Sequence, residues 1–545
     1  MTRSVKFKKV VRSSGQEPLR KNMLAKTYSF AALGPEARKV TIEARIYENP
    51  NKNAPPGLEN EEQSSGAVII GLPDAAVRES KERVRSALFC SGKNFPKGQL
   101  LISLAPGDLK KHGPVFDLPI ALCVALLNQT SGVTDSRRIA AIGELALDGT
   151  VRPVRNALTC AIAARKSGFT HLIVPRQNAR EASLLRGLVI VPAASFQEAF
   201  FFLNNPEAKI TNLVSREELL TAPINYPYDF AEIRGQLLAR RAAEIAAAGG
   251  HNLLLYGPPG SGKTLLARRM PTILPPMREE EIIETTQMHS AKGLLDSQKG
   301  FLSLRPFRAP HHSVSLAGLI GGGSQIEPGE VSLAHNGVLF LDEFPEFSKA
   351  ALEALRQPME DGFVTITRVQ GSFRYPASFM LIAAMNPCPC GFLGHPHKEC
   401  VCSRRQIENY RSKISGPLLD RIDMHAEMPS LDYEELTSAA QPENSATIRK
   451  RCEIARRIQW ERYRKTPWRD NGQINSAGAR KFCPLSQKAD LLLKKAVTKL
   501  FLSARSYTRI LRVARTIADL ECKEIIEEKE ILEALQFKGF YQNGF

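Results

Sequence analysis

One glycine-rich segment of the sequence has the residue types and spacing of a phosphate-binding loop. It stands between an apolar strand-like run, 251–256, and a predicted helix that opens at Thr264. In that position, backbone N–H groups surround the phosphates of ATP, and the helix N-terminus adds its positive dipole. Lys263 would neutralise the β- and γ-phosphates, and Thr264 would ligate Mg²⁺. The eight residues are Gly257, Pro258, Pro259, Gly260, Ser261, Gly262, Lys263 and Thr264.

Two further strand ends supply the carboxylates and the amide that ATP hydrolysis requires. The apolar run 338–341 ends in Asp342 and Glu343. Asp342 would hold the water shell of Mg²⁺, and Glu343 would polarise the attacking water. The next strand-like run, 379–385, ends at Asn386, whose amide can position that water against the γ-phosphate. An acidic pair at a strand end is often ordinary surface polarity, but its place after a phosphate-binding loop favours catalysis.

Three arginines are candidates for contacts with the γ-phosphate. Arg421 follows a short helical run in the segment 415–423. From there its planar cation can reach the nucleotide of a neighbouring subunit and stabilise transition-state charge. Arg505 opens a C-terminal helix and is the candidate for a second sensor of the nucleotide, with Arg509 as its main rival. The alternative for each arginine is a surface ion pair.

Four cysteines that precede Arg421 have the spacing of a metal site. They form two Cys-x-Cys pairs separated by nine residues, with two histidines between the pairs. Four soft ligands so close together suit tetrahedral Zn²⁺, and a reducing cytosol keeps thiols accessible to a metal. A redox pair or plain buried cysteines are the alternatives. The residues are Cys388, Cys390, Cys400 and Cys402, with His395 and His397 between them.

The elements that must position these residues fall into three parts. Residues 23–205 alternate strand-like and helical runs and predict an α/β domain. Residues 206–428 alternate in the same way around the phosphate-binding loop and contain the cysteine insertion at 386–402, whereas residues 429–545 are mainly helical. Residues 1–22 are basic and have no apolar period, which predicts a disordered extension. The predicted fold class is therefore α/β with a helical C-terminal domain.

The net charge of +18 is concentrated in two stretches. Residues 446–516 contain 19 lysines and arginines against 4 acidic residues, and residues 1–22 contain 7 against 1. Such concentration favours a polyanionic partner, because neutralising phosphates releases counterions, although a solvated basic face is the alternative. Ten cysteines in 545 residues are too sparse for a disulfide scaffold and favour the cytoplasm. No apolar run is long enough to span a bilayer, and no apolar signal-peptide core precedes the first predicted domain, so export is not expected.

The order of these motifs resembles the AAA+ ATPases. Three segments, 305–313, 328–337 and 386–391, resemble the ComM/YifB group of the magnesium-chelatase-like family within them. The resemblance covers residues 23 to about 540. It implies an AAA+ core, a magnesium-chelatase-type helical lid domain and a homohexamer in which Arg421 acts on the neighbouring subunit. Members of this group are described as hexameric DNA helicases that drive branch migration during natural transformation.

Residues 364–375 have the pattern of a β-hairpin with a polar turn. The resemblance implies a role for this hairpin. AAA+ relatives of this clade project such a hairpin into the central pore of the ring. Arg368 and Arg374 are then candidate contacts to DNA phosphates. A surface hairpin with exposed arginines is the equally plain alternative.

Residues 23–205 resemble the Lon-type protease fold but depart from its catalytic residues. In the segment 113–118, Val115 stands where Lon-type enzymes carry a serine. After the segment 143–151, the expected lysine aligns with Leu158. Without a hydroxyl and a general base, Ser-Lys chemistry cannot run, so we expect a non-proteolytic module.

The sequence therefore predicts a cytoplasmic, ATP- and Mg²⁺-dependent DNA helicase or translocase that forms a homohexamer and promotes branch migration. The basic C-terminal stretch favours DNA as the load, because a motor acting on a protein has no need of it. The alternative is a magnesium-chelatase-type motor or protein remodeller that acts on a protein partner. An ATP-dependent protease is the third reading, and the missing serine and lysine argue against it.

Overall fold

A computed structural model describes most of the chain. The described residues are 24–47, 67–96, 99–127, 138–208, 225–296, 298–323, 326–368, 371–437 and 442–538. The basic extension expected at residues 1–22 lies outside them.

The N-terminal part of the chain is an α/β unit with a mixed four-stranded sheet and a parallel three-stranded sheet. Its strands are β1 (Leu24–Leu33), β2 (Glu36–Tyr47), β3 (Ala67–Ile70), β4 (Gln99–Ala105), β5 (Ile139–Ala141), β6 (Glu144–Leu145), β7 (Val151–Arg152), β8 (His171–Pro175) and β9 (Val189–Ala193). Its helices are α1 (Ala75–Cys90), α2 (Asp117–Leu126), α3 (Ala157–Lys166), α4 (Ala179–Ala182) and α5 (Phe196–Asn204). The larger sheet has the order β1-β2-β4-β3, and the smaller one β5-β8-β9. Helix α2 is apolar on all sides because it packs between β1, β2, α1 and α5.

The central part of the chain is built on a five-stranded sheet. Its strands, with those of two hairpins, are β10 (Leu253–Tyr256), β11 (Phe307–Arg308), β12 (Gly321–Gly322), β13 (Glu327–Pro328), β14 (Val338–Leu341), β15 (Phe363–Arg368), β16 (Gly371–Pro376), β17 (Met380–Met385) and β18 (Met424–Glu427). Its helices are α6 (Leu237–Gly249), α7 (Lys263–Ile273), α8 (Glu279–Lys292), α9 (Leu316–Ile320), α10 (Glu330–Leu333), α11 (Lys349–Ala354), α12 (Arg356–Asp361), α13 (Arg404–Ser412) and α14 (Gly416–Leu419).

The five strands of this sheet run parallel in the order β11-β14-β17-β10-β18. The inner strands are apolar throughout because both faces of the sheet are covered. Tyr256 at the end of β10 lies beside Met385 at the end of β17. The segments that follow β10, β14 and β17 therefore meet at one side of the sheet, which we call the carboxyl edge. The opposite side, where β10 and β18 begin, is the amino edge.

The C-terminal part of the chain is helical and packs on the sheet through α6. Its helices are α15 (Tyr433–Thr437), α16 (Ser445–Tyr463), α17 (Ser476–Phe482), α18 (Gln487–Lys499), α19 (Ala504–Leu520) and α20 (Glu528–Gln536). Ala246 of α6, Cys452 of α16 and Ala514 of α19 are fully buried in one apolar cluster that continues into the central sheet. The helical part and the sheet thus share a single core.

The N-terminal unit also contacts the central part directly. Gln287 on α8 donates a hydrogen bond to the carbonyl oxygen of Pro35, at 2.6 Å. Arg155 forms an ion pair with Glu327 at 3.3 Å. The mixed α/β fold, the parallel sheet and the helical C-terminal region agree with the predicted fold class, and the expected boundaries at 205 and 428 stay predictions.

Candidate functional site

The phosphate-binding loop joins β10 to α7 at the carboxyl edge. Gly257 lies so close to the chain after β18 that a Cβ atom there would meet the carbonyl oxygen of Met428 at 2.0 Å. Gly260 and Gly262 have φ angles of +81° and +90°, which favour glycine. The glycine spacing therefore follows from the backbone path of the loop.

Lys263 begins α7, and its ammonium group turns back into the loop. Nζ donates to the carbonyl oxygens of Gly257 and Pro258, both at 2.8 Å, and to Oδ1 of Asn386 at 3.2 Å. Burial lowers the pKa of Lys263 to about 8, and the charge of Asp342 opposes that shift only in part. A buried ammonium held by neutral oxygens is a strong binder of phosphate, because an anion would supply the charge that these partners lack.

Asp342 and Glu343 follow β14 at the same edge. Oδ2 of Asp342 accepts a hydrogen bond from the hydroxyl of Thr264 at 2.7 Å. A carboxylate and a hydroxyl in contact are oxygen ligands of the kind that Mg²⁺ uses. Glu343 has a φ angle of +50°, which is unusual for a residue with a side chain, and that side chain is 60 % exposed. The structure thus brings Lys263, Thr264, Asp342 and Asn386 into contact and places Glu343 next to them.

His312 is a candidate positioning residue that sequence reasoning did not single out. Its Nδ1 lies 3.3 Å from Oε2 of Glu343, and its ring lies edge-on to Phe347. The histidine lies within the segment 305–313, which was noted only for its resemblance to a family. The contact with Glu343 is long-range in sequence, so no local pattern could have disclosed it.

The three candidate arginines lie at the amino edge. Met424 at the start of β18 lies beside Leu253 at the start of β10, so Arg421 is near the beginning of the strands. Both strands have four residues, which separates the two edges by about 13 Å. Arg421 donates to the carbonyl oxygen of Pro417 at 2.7 Å and pairs with Glu360. Within one subunit, none of the three arginines is brought to the phosphate-binding loop.

Arg505 and Arg509 differ in exposure. Arg505 is exposed at the start of α19, whereas Arg509 is 5 % exposed and lies 3.4 Å from Asp420. Burial lowers the pKa of Arg509, and the charges of Asp423 and Asp420 oppose that shift. Arg505 is therefore free to contact a neighbouring molecule, and Arg509 is better placed to support the amino edge from within.

A cleft of about 1040 Å³ opens at the amino edge between the sheet and the C-terminal helices, and Arg421, Arg505 and Arg509 line it. Several buried guanidinium nitrogens in this cleft have no hydrogen-bond acceptor among the described residues. They are Nε of Arg421, Nε of Arg456 and Nε of Arg512. Arg421, Arg456 and Arg512 each also pair with a carboxylate that lines the cleft, so the cleft is lined by ion pairs and not by free cations.

The four cysteines of the insertion converge. Their sulfur atoms all lie within 4.8 Å of one another. Sγ of Cys388 is 3.4 Å from that of Cys390 and 3.6 Å from that of Cys400, so none of these pairs is a disulfide. A hydrogen bond from the backbone amide of Phe392 contributes most to lowering the pKa of Cys390, which falls to about 6. A tetrahedral ion with bonds of about 2.3 Å to sulfur would hold its ligands about 3.8 Å apart, so the geometry fits Zn²⁺.

The predicted hairpin is formed by β15 and β16, and its turn at 369–370 lies outside the described residues. Arg368 is exposed at the end of β15. Arg374 is also exposed, but its guanidinium carbon lies 3.2 Å from the centre of the Phe363 ring. The short β12–β13 hairpin lies alongside, since a Cβ on Gly321 would be 2.9 Å from Ile366. Sequence reasoning missed this second hairpin, although the run of three glycines at 321–323 is a turn signal.

In the N-terminal unit, the two positions where Lon-type enzymes carry the catalytic serine and lysine hold apolar side chains. Leu158 is fully buried in α3, and Val115 packs against the two apolar clusters of the unit. Neither side chain offers a nucleophile or a base, and the non-proteolytic role of this unit stays a prediction.

Three family profiles match the chain. "Magnesium chelatase, subunit ChlI" matches residues 229–436, "Subunit ChlI of Mg-chelatase" matches residues 59–178, and "Magnesium chelatase, subunit ChlI C-terminal" matches residues 442–538. Together they cover part of the N-terminal unit, the central sheet and most of the C-terminal helices.

Among known proteins, the chain is 40 % identical to competence protein ComM of Haemophilus influenzae, over 95 % of this chain and 97 % of that protein. It is 39 % identical to the uncharacterized protein YifB of Escherichia coli, with the same coverage of 95 % and 97 %. A Lon protease of Clostridium beijerinckii is 28 % identical over 119 residues, which are 21 % of this chain and 15 % of that protein. The last similarity agrees with the Lon-like fold of the N-terminal unit.

Among the described residues, every helix is too short or too polar to cross a membrane. The matches span nearly the whole chain, and the nucleotide-binding motifs occur on the sheet that such a family requires. The chain therefore belongs to the magnesium-chelatase-like AAA+ ATPases, in the group that contains ComM and YifB.

Proposed function

We propose that this protein is the subunit of a homohexameric, ATP-driven DNA helicase or translocase that promotes branch migration during natural transformation. The observation that supports it most is the division of the nucleotide chemistry between two edges of one sheet. The carboxyl edge holds Lys263, Asp342 and Asn386, and the amino edge holds Arg421. A complete site then forms only where the carboxyl edge of one subunit meets the amino edge of the next.

In this site, Lys263 would bind the β- and γ-phosphates of ATP, while Thr264 and Asp342 would hold Mg²⁺, which neutralises phosphate charge. Glu343 would accept the proton of the attacking water, and Asn386 would orient that water. Arg421 of the neighbouring subunit would stabilise charge on the transferred phosphoryl group, and Arg505 would contact the same nucleotide. The rate of hydrolysis in one subunit would then depend on the position of the neighbouring subunit.

The choice of DNA as the load rests on the ComM similarity and on the basic C-terminal helices. Some residues of the basic stretch form ion pairs within the fold: Arg462 and Arg515 both pair with the buried carboxylate of Asp519. Eleven basic residues of the stretch are nevertheless exposed and available to a polyanion. They are Lys450, Arg457, Arg464, Lys465, Arg480, Lys481, Lys488, Lys494, Lys495, Lys499 and Arg505. In the central part, Arg368 donates to the carbonyl oxygen of Thr367 and Arg374 lies over the Phe363 ring, and both exposed side chains are candidates for a phosphate contact.

We also propose that Cys388, Cys390, Cys400 and Cys402 hold one structural Zn²⁺, in keeping with a cytoplasmic location where thiols stay reduced. Four thiolates complete a tetrahedral shell and leave no open position, so the ion would have a structural rather than a catalytic role. Metal analysis of the purified protein should find about one zinc per chain, which is the number that a four-cysteine site accepts. A metal-free protein with unchanged thermal stability would contradict this site.

The central test measures ATP turnover and branch migration with forked and four-way DNA. We expect DNA to stimulate ATP hydrolysis and the protein to move a labelled junction in an ATP-dependent manner. Glu343→Gln should bind nucleotide and DNA but not move the junction. An ATPase that ignores DNA and responds only to a protein partner would favour the alternative, a magnesium-chelatase-type motor or protein remodeller.

A further inference from the structure

The cysteine insertion lies directly on the phosphate-binding loop. Gly391, next to Cys390, faces Pro259 of the loop. A Cβ atom on Gly391 would lie 2.6 Å from Cδ and 3.1 Å from Cγ of Pro259, and 3.8 Å from the side-chain amide carbon of Asn386. Real side chains do not approach so closely, so the contact requires glycine at this position.

The insertion is also tied to the strand that carries Asn386. Cys388 is fully buried two residues after Asn386. Arg411 on α13 donates to the carbonyl oxygen of Pro387 through Nε at 3.2 Å and Nη2 at 3.0 Å. Asn386 in turn accepts a hydrogen bond from Nζ of Lys263. A short stretch of backbone, from Cys388 to Asn386, and one side-chain hydrogen bond therefore connect the sulfur cluster with the ammonium group that would bind phosphate.

Residues 386–403 contain no helix or strand, and most of their side chains outside the cluster are partly or fully exposed. A segment of this kind has little apolar core of its own to fix its shape. A metal ion that joins its two ends is the means by which such a segment becomes rigid. The rigid part then presents Gly391 to Pro259.

We infer that the four-cysteine centre is a positioning clamp for the phosphate-binding loop, so that metal occupancy sets the affinity of the protein for nucleotide. This inference rests on the nucleotide and zinc sites described under the proposed function. The clamp holds Pro259 through Gly391 and holds Asn386 through Cys388. Lys263 and Asn386 are thereby positioned to contact the same phosphate. Without the metal, the insertion loosens and the loop samples conformations that bind ATP less well.

The chain offers a matched pair of variants for testing the contact. Gly391 and Gly394 belong to the same insertion and have similar φ angles of +83° and +77°. Alanine at either position carries the same backbone strain, but around Gly394 a Cβ would meet nothing within 4 Å. Gly391→Ala therefore adds only the collision with Pro259, and Gly394→Ala is its control.

The readout is the Kd for a fluorescent ATP analogue, measured without DNA, together with the zinc content of each variant. We expect Gly391→Ala to keep its zinc and to bind the analogue about tenfold more weakly, while Gly394→Ala changes Kd less than about twofold. Pro259→Ala removes the proline ring with which the new Cβ atom collides. Gly391→Ala should therefore weaken binding less in the Pro259→Ala background than in the wild type. Removing zinc from the wild type with a chelator should weaken binding by a similar factor.

Equal affinities of Gly391→Ala and Gly394→Ala would overturn the clamp, as would chelation that removes zinc and leaves Kd unchanged. Loss of zinc from Gly391→Ala alone would show that Pro259 supports the metal rather than the reverse, which also overturns it. Because DNA is absent, failure of the proposed DNA activity does not affect these outcomes. A wild type that binds no ATP analogue would instead refute the proposed function itself.

Discussion

The carboxyl and amino edges of the central sheet hold their charges in different ways. At the carboxyl edge, Lys263 is surrounded by carbonyl and amide oxygens, and Asp342 is bonded to Thr264. At the amino edge, the arginines face carboxylates, as Arg421 does with Glu360. The first arrangement is ready to bind phosphate within one subunit. The second holds its cations in ion pairs until another anion competes for them. Under the proposed function, each subunit would therefore carry two half-sites.

The largest effect should come from the carboxyl edge. Lys263→Ala removes the cation that the loop encloses, and we expect ATP turnover to fall about a thousandfold or more because binding and charge stabilisation are both lost. Nucleotide binding and steady-state turnover would measure it. Circular dichroism should show an unchanged fold, since the lysine packs against polar oxygens and not in the apolar core.

Loss at the amino edge should be large but should leave nucleotide binding in place. We expect Arg421→Ala to lower turnover about a hundredfold, with little change in Kd, because the arginine acts on a neighbouring nucleotide.

Mixing the two defective proteins sharpens the comparison. In random rings from equal amounts of Lys263→Ala and Arg421→Ala, about a quarter of the interfaces would join an intact carboxyl edge to an intact amino edge. We expect turnover in the mixture to rise well above the average of the two separate proteins. No recovery, in a mixture where labelled subunits are shown to exchange, would place both residues in the same subunit's site.

A smaller effect is expected at the partner of Glu343. His312→Ala removes the contact with Oε2 and leaves this carboxylate without a fixed position, so kcat should fall about fivefold while KM for ATP stays constant. His312→Asn should recover part of the loss, since an amide can still donate a hydrogen bond. His311→Ala is the comparison, because His311 contacts Ser313 and packs on the ring of His312 at 4.0 Å but does not itself reach Glu343, so its loss should be smaller. A loss of equal size in His311→Ala would mean that the segment matters only for folding.

The smallest expected effect is a pH dependence of nucleotide affinity that arises at the carboxyl edge. Burial lowers the pKa of Lys263 to about 8, so the ammonium form that binds phosphate is complete at acidic pH and is lost as the pH rises through that value. Affinity for the ATP analogue, measured without added magnesium, should fall about twofold between pH 7 and pH 8 and more steeply above. A guanidinium does not normally lose its proton in this range, so the expected pH dependence belongs to the carboxyl edge. An affinity that is constant up to pH 9 would contradict the lowered pKa.

Much of the carboxyl edge was predictable because its signals are local. An apolar strand followed by glycines and Lys263, or by Asp342, can be recognised within ten residues, and parallel strands bring such ends together. The contact between Lys263 and Asn386 follows from the same reasoning. The α/β class and the C-terminal helices were equally clear from hydrophobic periodicity.

The remaining features depend on contacts between distant parts of the chain. Nothing in the sequence near Arg421 discloses its pairing with Glu360, and nothing near Arg462 discloses that it neutralises the buried Asp519. Counting charge along the chain therefore overstated the cations available to DNA. The collision of Gly391 with Pro259 likewise depends on the folded path of the insertion.

The shared apolar cluster of α6, α16 and α19 has a mechanical consequence. Bending the helical part away from the sheet would expose side chains such as Ala246 and Ala514 to water, at a cost of about 25 cal/mol for each Å² of apolar surface. A hinge inside the protomer is therefore stiff. In the proposed hexamer, we expect the movement driven by ATP to be a rotation of one whole protomer against the next, at the interface between protomers.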